Sequence, residues 1–253
     1  MTTLLRLLYC FVLLFSSINT ALAGLPETIA SIKPSIVAVG TYSRLASPNS
    51  RFLGTGFAIS TGQYVATNAH VVPEQLDLKK KQKLVVFVGQ GRSPEIRSAE
   101  VVAINKEQDI AILQISGKAL NSMRLSSKSV QEGQDISFTG YPIGSVLGLY
   151  PVTHRGIISS ITPIAIPARS SKELSIKQLK RLKNNPYLVY QLDATAYPGN
   201  SGSPVYYPET GEVIAIINKV LVKSSKESLL SDPSAITYAI PISYLSEMLD
   251  NLK

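Results

Sequence analysis

Short runs of β-favouring residues, broken by glycine, proline, asparagine and serine, recur along nearly the whole chain from position 35 onward. They constrain the fold more than any other feature. The runs lie at 35–42, 56–60, 63–67, 84–88, 99–105, 110–115, 136–140, 156–161, 188–192, 213–222 and 237–240. About a dozen strands at this spacing, with no helix between them, predict an all-β sandwich or barrel. A parallel α/β sheet needs a crossover of a dozen or more residues between strands, and the gaps here are too short. Helix is predicted only at the edges. Residues 26–33 form a short amphipathic segment before the first strand, and residues 242–252 (ISYLSEMLDNL) close the chain with apolar residues at helical spacing. A basic stretch, SSKELSIKQLKRLK at 170–183, reads as a surface helix or a loop.

The N-terminus obeys a different logic. One positive charge, Arg6, precedes an apolar run at 7–18, and Ala21-Leu22-Ala23 follows before Gly24. That layout predicts an export signal at 1–23, cut after Ala23. The apolar run is short for a membrane span. Lipid attachment at Cys10 is disfavoured because Tyr9, not a small residue, stands before it. The expected domains are therefore the signal, 1–23, and one unit, 24–253, whose two halves meet near 120–133. The expected location is the periplasm or the medium, with no stable membrane span after cleavage.

Cys10 is the only cysteine, so a chain starting at Gly24 has no thiol and no disulfide. Cysteine catalysis and zinc–thiolate sites drop out. With 45% hydrophobic residues, the chain is rich enough to stand on its packed core alone. Lysine and arginine number 25 against 17 acidic residues. The excess reads as a solvated basic surface, because no nucleic-acid-binding motif accompanies it.

Three residues carry chemistry as a set. His70 lies in Thr67-Asn68-Ala69-His70-Val71-Val72, just after a predicted strand. Asp109 heads the run Asp109-Ile110-Ala111-Ile112-Leu113. Ser201 lies in Gly199-Asn200-Ser201-Gly202-Ser203-Pro204, a turn between apolar runs. A serine hydroxyl is a poor nucleophile until a base takes its proton. Histidine titrates near neutrality and suits that work. A carboxylate on the far ring nitrogen fixes the tautomer. Glycines beside the serine let backbone amides converge on a developing oxyanion. Singly, each signal is an ordinary turn, cap or surface residue. Together, in the order His, Asp, Ser, they match the chymotrypsin order and neither the subtilisin nor the α/β-hydrolase order.

On these residues the chain resembles trypsin-like serine peptidases of the HtrA/Deg type. Ile32-Lys33-Pro34-Ser35-Ile36-Val37 is similar to the family's opening strand, and Gly54-Thr55-Gly56-Phe57 to its GSGF strand. Gly140-Tyr141-Pro142-Ile143-Gly144 and Gly156-Ile157-Ile158-Ser159 resemble the start of its second barrel. Asp193-Ala194-Thr195-Ala196 leads into the serine turn, and Glu212-Val213-Ile214-Ala215-Ile216 and Tyr238-Ala239-Ile240-Pro241 resemble its closing strands. The resemblance implies two perpendicular six-stranded β-barrels with a short C-terminal helix. The cleft between them would hold Ser201 as nucleophile, His70 as general base and acid, and Asp109 as the orienting carboxylate. The amides of Gly199 and Ser201 would form the oxyanion hole. No cofactor or metal is implied, polypeptides are the implied substrates, and the oligomeric state is left open.

The chain departs from that family in three places. A PDZ module after the peptidase region is not expected. Ser203 stands where HtrA proteins usually have glycine, a spelling shared with glutamyl endopeptidases. Those enzymes carry a histidine where this chain has Ile217, so glutamate specificity is not expected. The stretch 163–186 is longer and more basic than its HtrA counterpart. By the trypsin-like pattern the pocket floor falls at Thr195, with Ala196, Ile216, Ile217 and Asn218 around it. The absence of an acid there predicts small or medium apolar residues before the scissile bond. His154 is expected on an exposed loop, and Asp193 is a rival acid that the chain order disfavours. The reading that follows is an exported serine endopeptidase. A chaperone or binding protein of the same fold, or an esterase, stands as the alternative.

Overall fold

The structure, a computed structural model, describes residues 24–91, 93–142, 148–163, 187–220 and 237–252. The expected export signal, Ile143 and Gly144, residues 164–186 of the basic stretch and the end of the 213–222 run lie outside the described residues.

The described chain is built almost wholly from strands. Helix α1 (Leu25–Ile32) leads into β1 (Ile36–Tyr42), β2 (Ser50–Ile59) and β3 (Tyr64–Thr67). A 3₁₀ turn, Ala69–Val71, leads from β3 to β4 (Lys83–Val88), β5 (Glu95–Asn105) and β6 (Ile110–Ile115). Residues 116–134 then cross to β7 (Asp135–Gly140), β8 (Val152–Pro163) and β9 (Leu188–Asp193). Strands β10 (Pro204–Tyr206), β11 (Val213–Val220) and β12 (Thr237–Pro241) and helix α2 (Ile242–Asp250) complete the order.

All the strand pairings are antiparallel, and they close into two six-stranded barrels. The first runs β1-β2-β3-β6-β5-β4 and the second β10-β11-β12-β9-β8-β7. Closure leaves no free sheet edge, which an isolated antiparallel sheet would have to protect.

Three apolar clusters hold the barrels. Val37, Val65, Val86 and Leu113 pack within the first, and Ile136, Phe138, Ile158 and Val205 within the second. A third cluster takes side chains from both, joining Ile36, Phe57 and Ile112 to Tyr206, Ile216 and Ile240. It makes one body of two barrels. Tyr141 is buried at the same junction, its hydroxyl within reach of the Ile36 and Gly89 carbonyls at 3.2 and 3.3 Å. Burial pushes its phenol pKa up to about 12.

Two glycines are demanded by close approach. A Cβ on Gly156 would lie 2.2 Å from the Asp193 carbonyl oxygen, where β8 crosses the end of β9. A Cβ on Gly202 would lie 2.0 Å from the Thr55 carbonyl oxygen, and Gly202 also has φ +87°. Both contacts are shorter than any side chain allows.

The eleven runs read from the sequence all correspond to strands. The unread one is β10, three residues long and beginning with Pro204. A strand opening on proline straight after a glycine turn gives almost no periodic signal. One residue is placed differently from expectation. His154 is not on an exposed loop. It lies within β8, paired with Phe138 of β7, and is only partly exposed. The polar residues Thr153-His154-Arg155 precede the run read at 156–161, but β8 starts at Val152 and includes them.

Candidate active site

His70 is presented by the 3₁₀ turn that ends β3, and Asp109 by the residue before β6. Strands β3 and β6 are neighbours, with Thr67 opposite Ala111, so the two side chains meet at the end of one ladder. Asp109 takes φ +57°, a left-handed conformation that aspartate tolerates better than most residues. This turns both its carboxylate and its carbonyl towards the His70 turn. Oδ2 lies 2.6 Å from His70 Nδ1, and Oδ1 accepts the His70 backbone N–H at 2.8 Å. The Asp109 carbonyl accepts the Ala69 N–H at 3.1 Å and the Asn68 side-chain amide at 3.0 Å. The acid is therefore clamped at four points. An ionised carboxylate only accepts hydrogen bonds, so the imidazole proton sits on Nδ1 and Nε2 keeps its lone pair.

Ser201 belongs to the second barrel, in the turn between β9 and β10. That turn is bound to β2 of the first barrel by the strongest cross-barrel contacts near the site. The Thr55 N–H donates to the Ser201 carbonyl at 2.8 Å. The Thr55 hydroxyl donates to the Gly199 carbonyl at 2.7 Å and accepts the Tyr141 N–H at 3.0 Å. Within the turn, Asn200 N–H donates to the Tyr197 carbonyl and Gly202 N–H to the Ile217 carbonyl. Among the described residues no protein acceptor takes the N–H of Gly199 or of Ser201. Gly199 has φ +101°, open to glycine alone at low cost. Two unused amides flanking a serine are the arrangement an oxyanion requires.

The Ser201 hydroxyl donates to the Asn218 carbonyl at 2.9 Å. Its one proton is thus directed at β11, and the O–H bond must turn before that proton can pass to an imidazole.

The five residues expected around the pocket are spread along the two segments that flank this turn. Thr195 is partly exposed. Ala196 is buried, its N–H directed at the Thr237 hydroxyl at 3.3 Å. The Ile216 side chain packs in the cluster joining the barrels, and that of Ile217 in the second barrel's core. Asn218 is nearly buried, and its Oδ1 has no partner among the described residues. Asp193 ends β9 and is exposed.

Two contributors escaped the sequence reading. Thr55 lies in a recognisable Gly-Thr-Gly-Phe stretch, yet nothing local points across 144 positions to Gly199. Asn68 precedes the histidine, but only the fold shows its amide on the Asp109 carbonyl. His154 stacks on Phe138, with ring centroids 4.8 Å apart, and lies 6.0 Å from the Tyr197 ring in the approach to the serine turn. Its Nε2 is buried without a partner among the described residues, and burial holds its pKa below the ordinary histidine value.

Residues 54–216 match the family model described as a trypsin-like peptidase domain. A protein of Halomonas elongata named "Probable periplasmic serine endoprotease DegP-like" is 31% identical over 209 residues, 82% of this chain and 36% of that protein. A Pseudomonas fluorescens protein of the same name is 27% identical over 203 residues, 79% of this chain and 35% of its own. The chain thus spans about a third of the length of the curated relatives it matches. Among solved structures, the HtrA-type protease AlgW with tripeptide aligns at TM-score 0.62 and 25% identity, covering 91% of this chain and 64% of that one. A protease from M. tuberculosis in its active form aligns at TM-score 0.64 and 20% identity, covering 89% and 83%.

Proposed function

Because the chain belongs to the trypsin-like peptidase domain family, with relatives among HtrA/DegP-like serine endoproteases, we propose that it is an exported serine endopeptidase acting through Ser201, His70 and Asp109. The observation that carries this reading is the double tie of Thr55 to the serine turn. It supports the reading by tying the turn that carries Ser201, in the second barrel, to the first barrel, which holds the His70–Asp109 pair.

The chemistry follows from those positions. A polypeptide carbonyl enters over Ser201. The hydroxyl rotates off the Asn218 carbonyl and passes its proton to His70 Nε2 as Oγ attacks. Asp109 stabilises the imidazolium without taking its proton. The Gly199 and Ser201 amides receive the oxyanion, a contribution of about 3 kcal/mol per donor in related sites. His70 then protonates the leaving amine, and the acyl-enzyme is hydrolysed by a water that the same imidazole activates. No acidic side chain stands at Thr195, which favours small or medium apolar residues before the cleaved bond. The export signal at 1–23 and relatives named as periplasmic support an envelope location.

Casein digestion followed by mass spectrometry of the fragments tests both parts. The chain should cleave casein, mainly after residues such as valine, alanine or leucine. Ser201→Ala should lower kcat on the order of a millionfold, with a comparable loss for His70→Ala. Native-rate digestion by the Ser201→Ala protein would refute the assignment.

A further inference from the structure

The basic excess of this chain is not spread evenly over the described surface. Two loops at one corner of the first barrel concentrate it. The loop between β1 and β2 carries Arg44 and Leu45, with Arg51 at the start of β2. The loop that leaves the His70 turn for β4 carries Leu78, Lys79, Lys80 and Lys81, with Lys83 opening β4. All six cations are exposed; the acids of these loops are Asp77 and Glu74, and Glu74 is paired with Lys106 at 3.0 Å. Leu45 is 62% exposed and Leu78 81%, the latter the most exposed large apolar side chain among the described residues.

These tips are held in place. The buried Ser43 hydroxyl donates to the Lys80 carbonyl and accepts the Leu45 N–H, so one group clamps both loops. The Gln82 side-chain amide donates to the Thr41 hydroxyl at 3.1 Å and its carbonyl oxygen accepts the Asp77 N–H at 3.0 Å. Lys80 N–H donates to the Asp77 carboxylate, and Lys81 N–H to the Leu78 carbonyl. A hydrogen-bonded turn thus holds Leu78 out into solvent with three lysines directly after it.

We propose that this corner docks the protein on an anionic lipid surface. A soluble polyanion would satisfy the cations and leave the leucines in water. A neutral apolar partner would cover the leucines and strand the cations. A bilayer rich in acidic headgroups satisfies both at once: the leucines enter the interface and the lysines and arginines meet the phosphates. Stacking platforms for single-stranded nucleic acid need aromatic side chains, and neither loop has one at its tip. Binding of this kind is peripheral and reversible. It rests on charge and leucine placement alone and stands or falls independently of the catalytic reading.

Sedimentation of the whole chain with lipid vesicles tests it. Vesicles of phosphatidylcholine with about a third phosphatidylglycerol should bind the protein, and pure phosphatidylcholine should not. Binding should weaken strongly as salt approaches about 0.5 M. The triple variant Lys79→Gln, Lys80→Gln, Lys81→Gln should lose on the order of a hundredfold in affinity for the anionic vesicles. The pair Leu45→Ser, Leu78→Ser should lose roughly tenfold there while binding soluble heparin as before. Each variant should keep its melting temperature and its rate on soluble casein, since no altered residue touches the core or the site. Equal binding to both vesicle types would overturn the proposal. So would full vesicle affinity in the lysine variant, or in the leucine variant, which would make the patch a soluble-polyanion site.

Discussion

His154 shows how far one side chain can depart from the reading its neighbours suggest. Its ring is sandwiched against Phe138 with a buried, unpartnered Nε2, and desolvation favours the neutral form. A histidine whose folded pKa lies below its ordinary value of 6.5 binds fewer protons than the same histidine in the unfolded chain. Its contribution to stability is therefore fully present above pH 6.5 and is lost as pH falls below that value. His154→Phe keeps a ring on Phe138 and removes the titration. Thermal melts from pH 7.5 down to about 5 should show the native protein losing stability faster than the variant on the acid side. Parallel curves would mean that the imidazole titrates as it does in water. The reason it escaped notice is physical: Thr-His-Arg-Gly is locally turn-like, and only pairing with β7 makes it a strand. Asp109, by contrast, was legible, because position before a β-run and order relative to His70 and Ser201 carry the signal. Its left-handed backbone and four-point clamp were not, since both depend on the neighbouring His70 turn.

Among the elements, β2 does most to complete the site, although it contributes none of the three chemical groups. Its Thr55 bridges the serine turn and the Tyr141 segment with one hydroxyl. Thr55→Val conserves shape and removes that hydroxyl, leaving the Gly199 carbonyl and the Tyr141 N–H without it. The expected cost is about 1–3 kcal/mol of stability. Because the Gly199 carbonyl is part of the turn that carries the proposed oxyanion amides, kcat should fall more than KM rises. Urea melts and steady-state kinetics check the two halves, and an unchanged kcat would show that the turn holds itself. The strands themselves were mostly legible from alternation and turn residues. Their limits were less so: β2 begins at Ser50 rather than near Gly56, because Gly54 and a register shift that skips Leu53 interrupt the apolar pattern, while pairing with β1 resumes from Phe52 to Ser50.

For the whole molecule, the decisive feature is the cluster shared by both barrels. The strand runs predicted barrels or sandwiches, and the resemblance supplied two of them. Neither showed that Ile36, Phe57, Tyr206 and Ile240 would meet in one core. Such a core predicts that the barrels unfold together. Ile240→Ala should cost about 2–5 kcal/mol and lower a single calorimetric transition. Two transitions, with only one displaced, would mean that the barrels are thermodynamically separate. A shared core also fixes the two barrels against each other, the first carrying His70 and the second Ser201.

The central claim is that Ser201 is the nucleophile and that His70 activates it. Labelling the native chain with a fluorophosphonate, followed by peptide mapping, tests this most directly. One adduct is expected, on Ser201, formed far more slowly in the His70→Ala protein and absent from the Ser201→Ala protein. No adduct on the native chain, or an adduct on another serine such as Ser203, would contradict it.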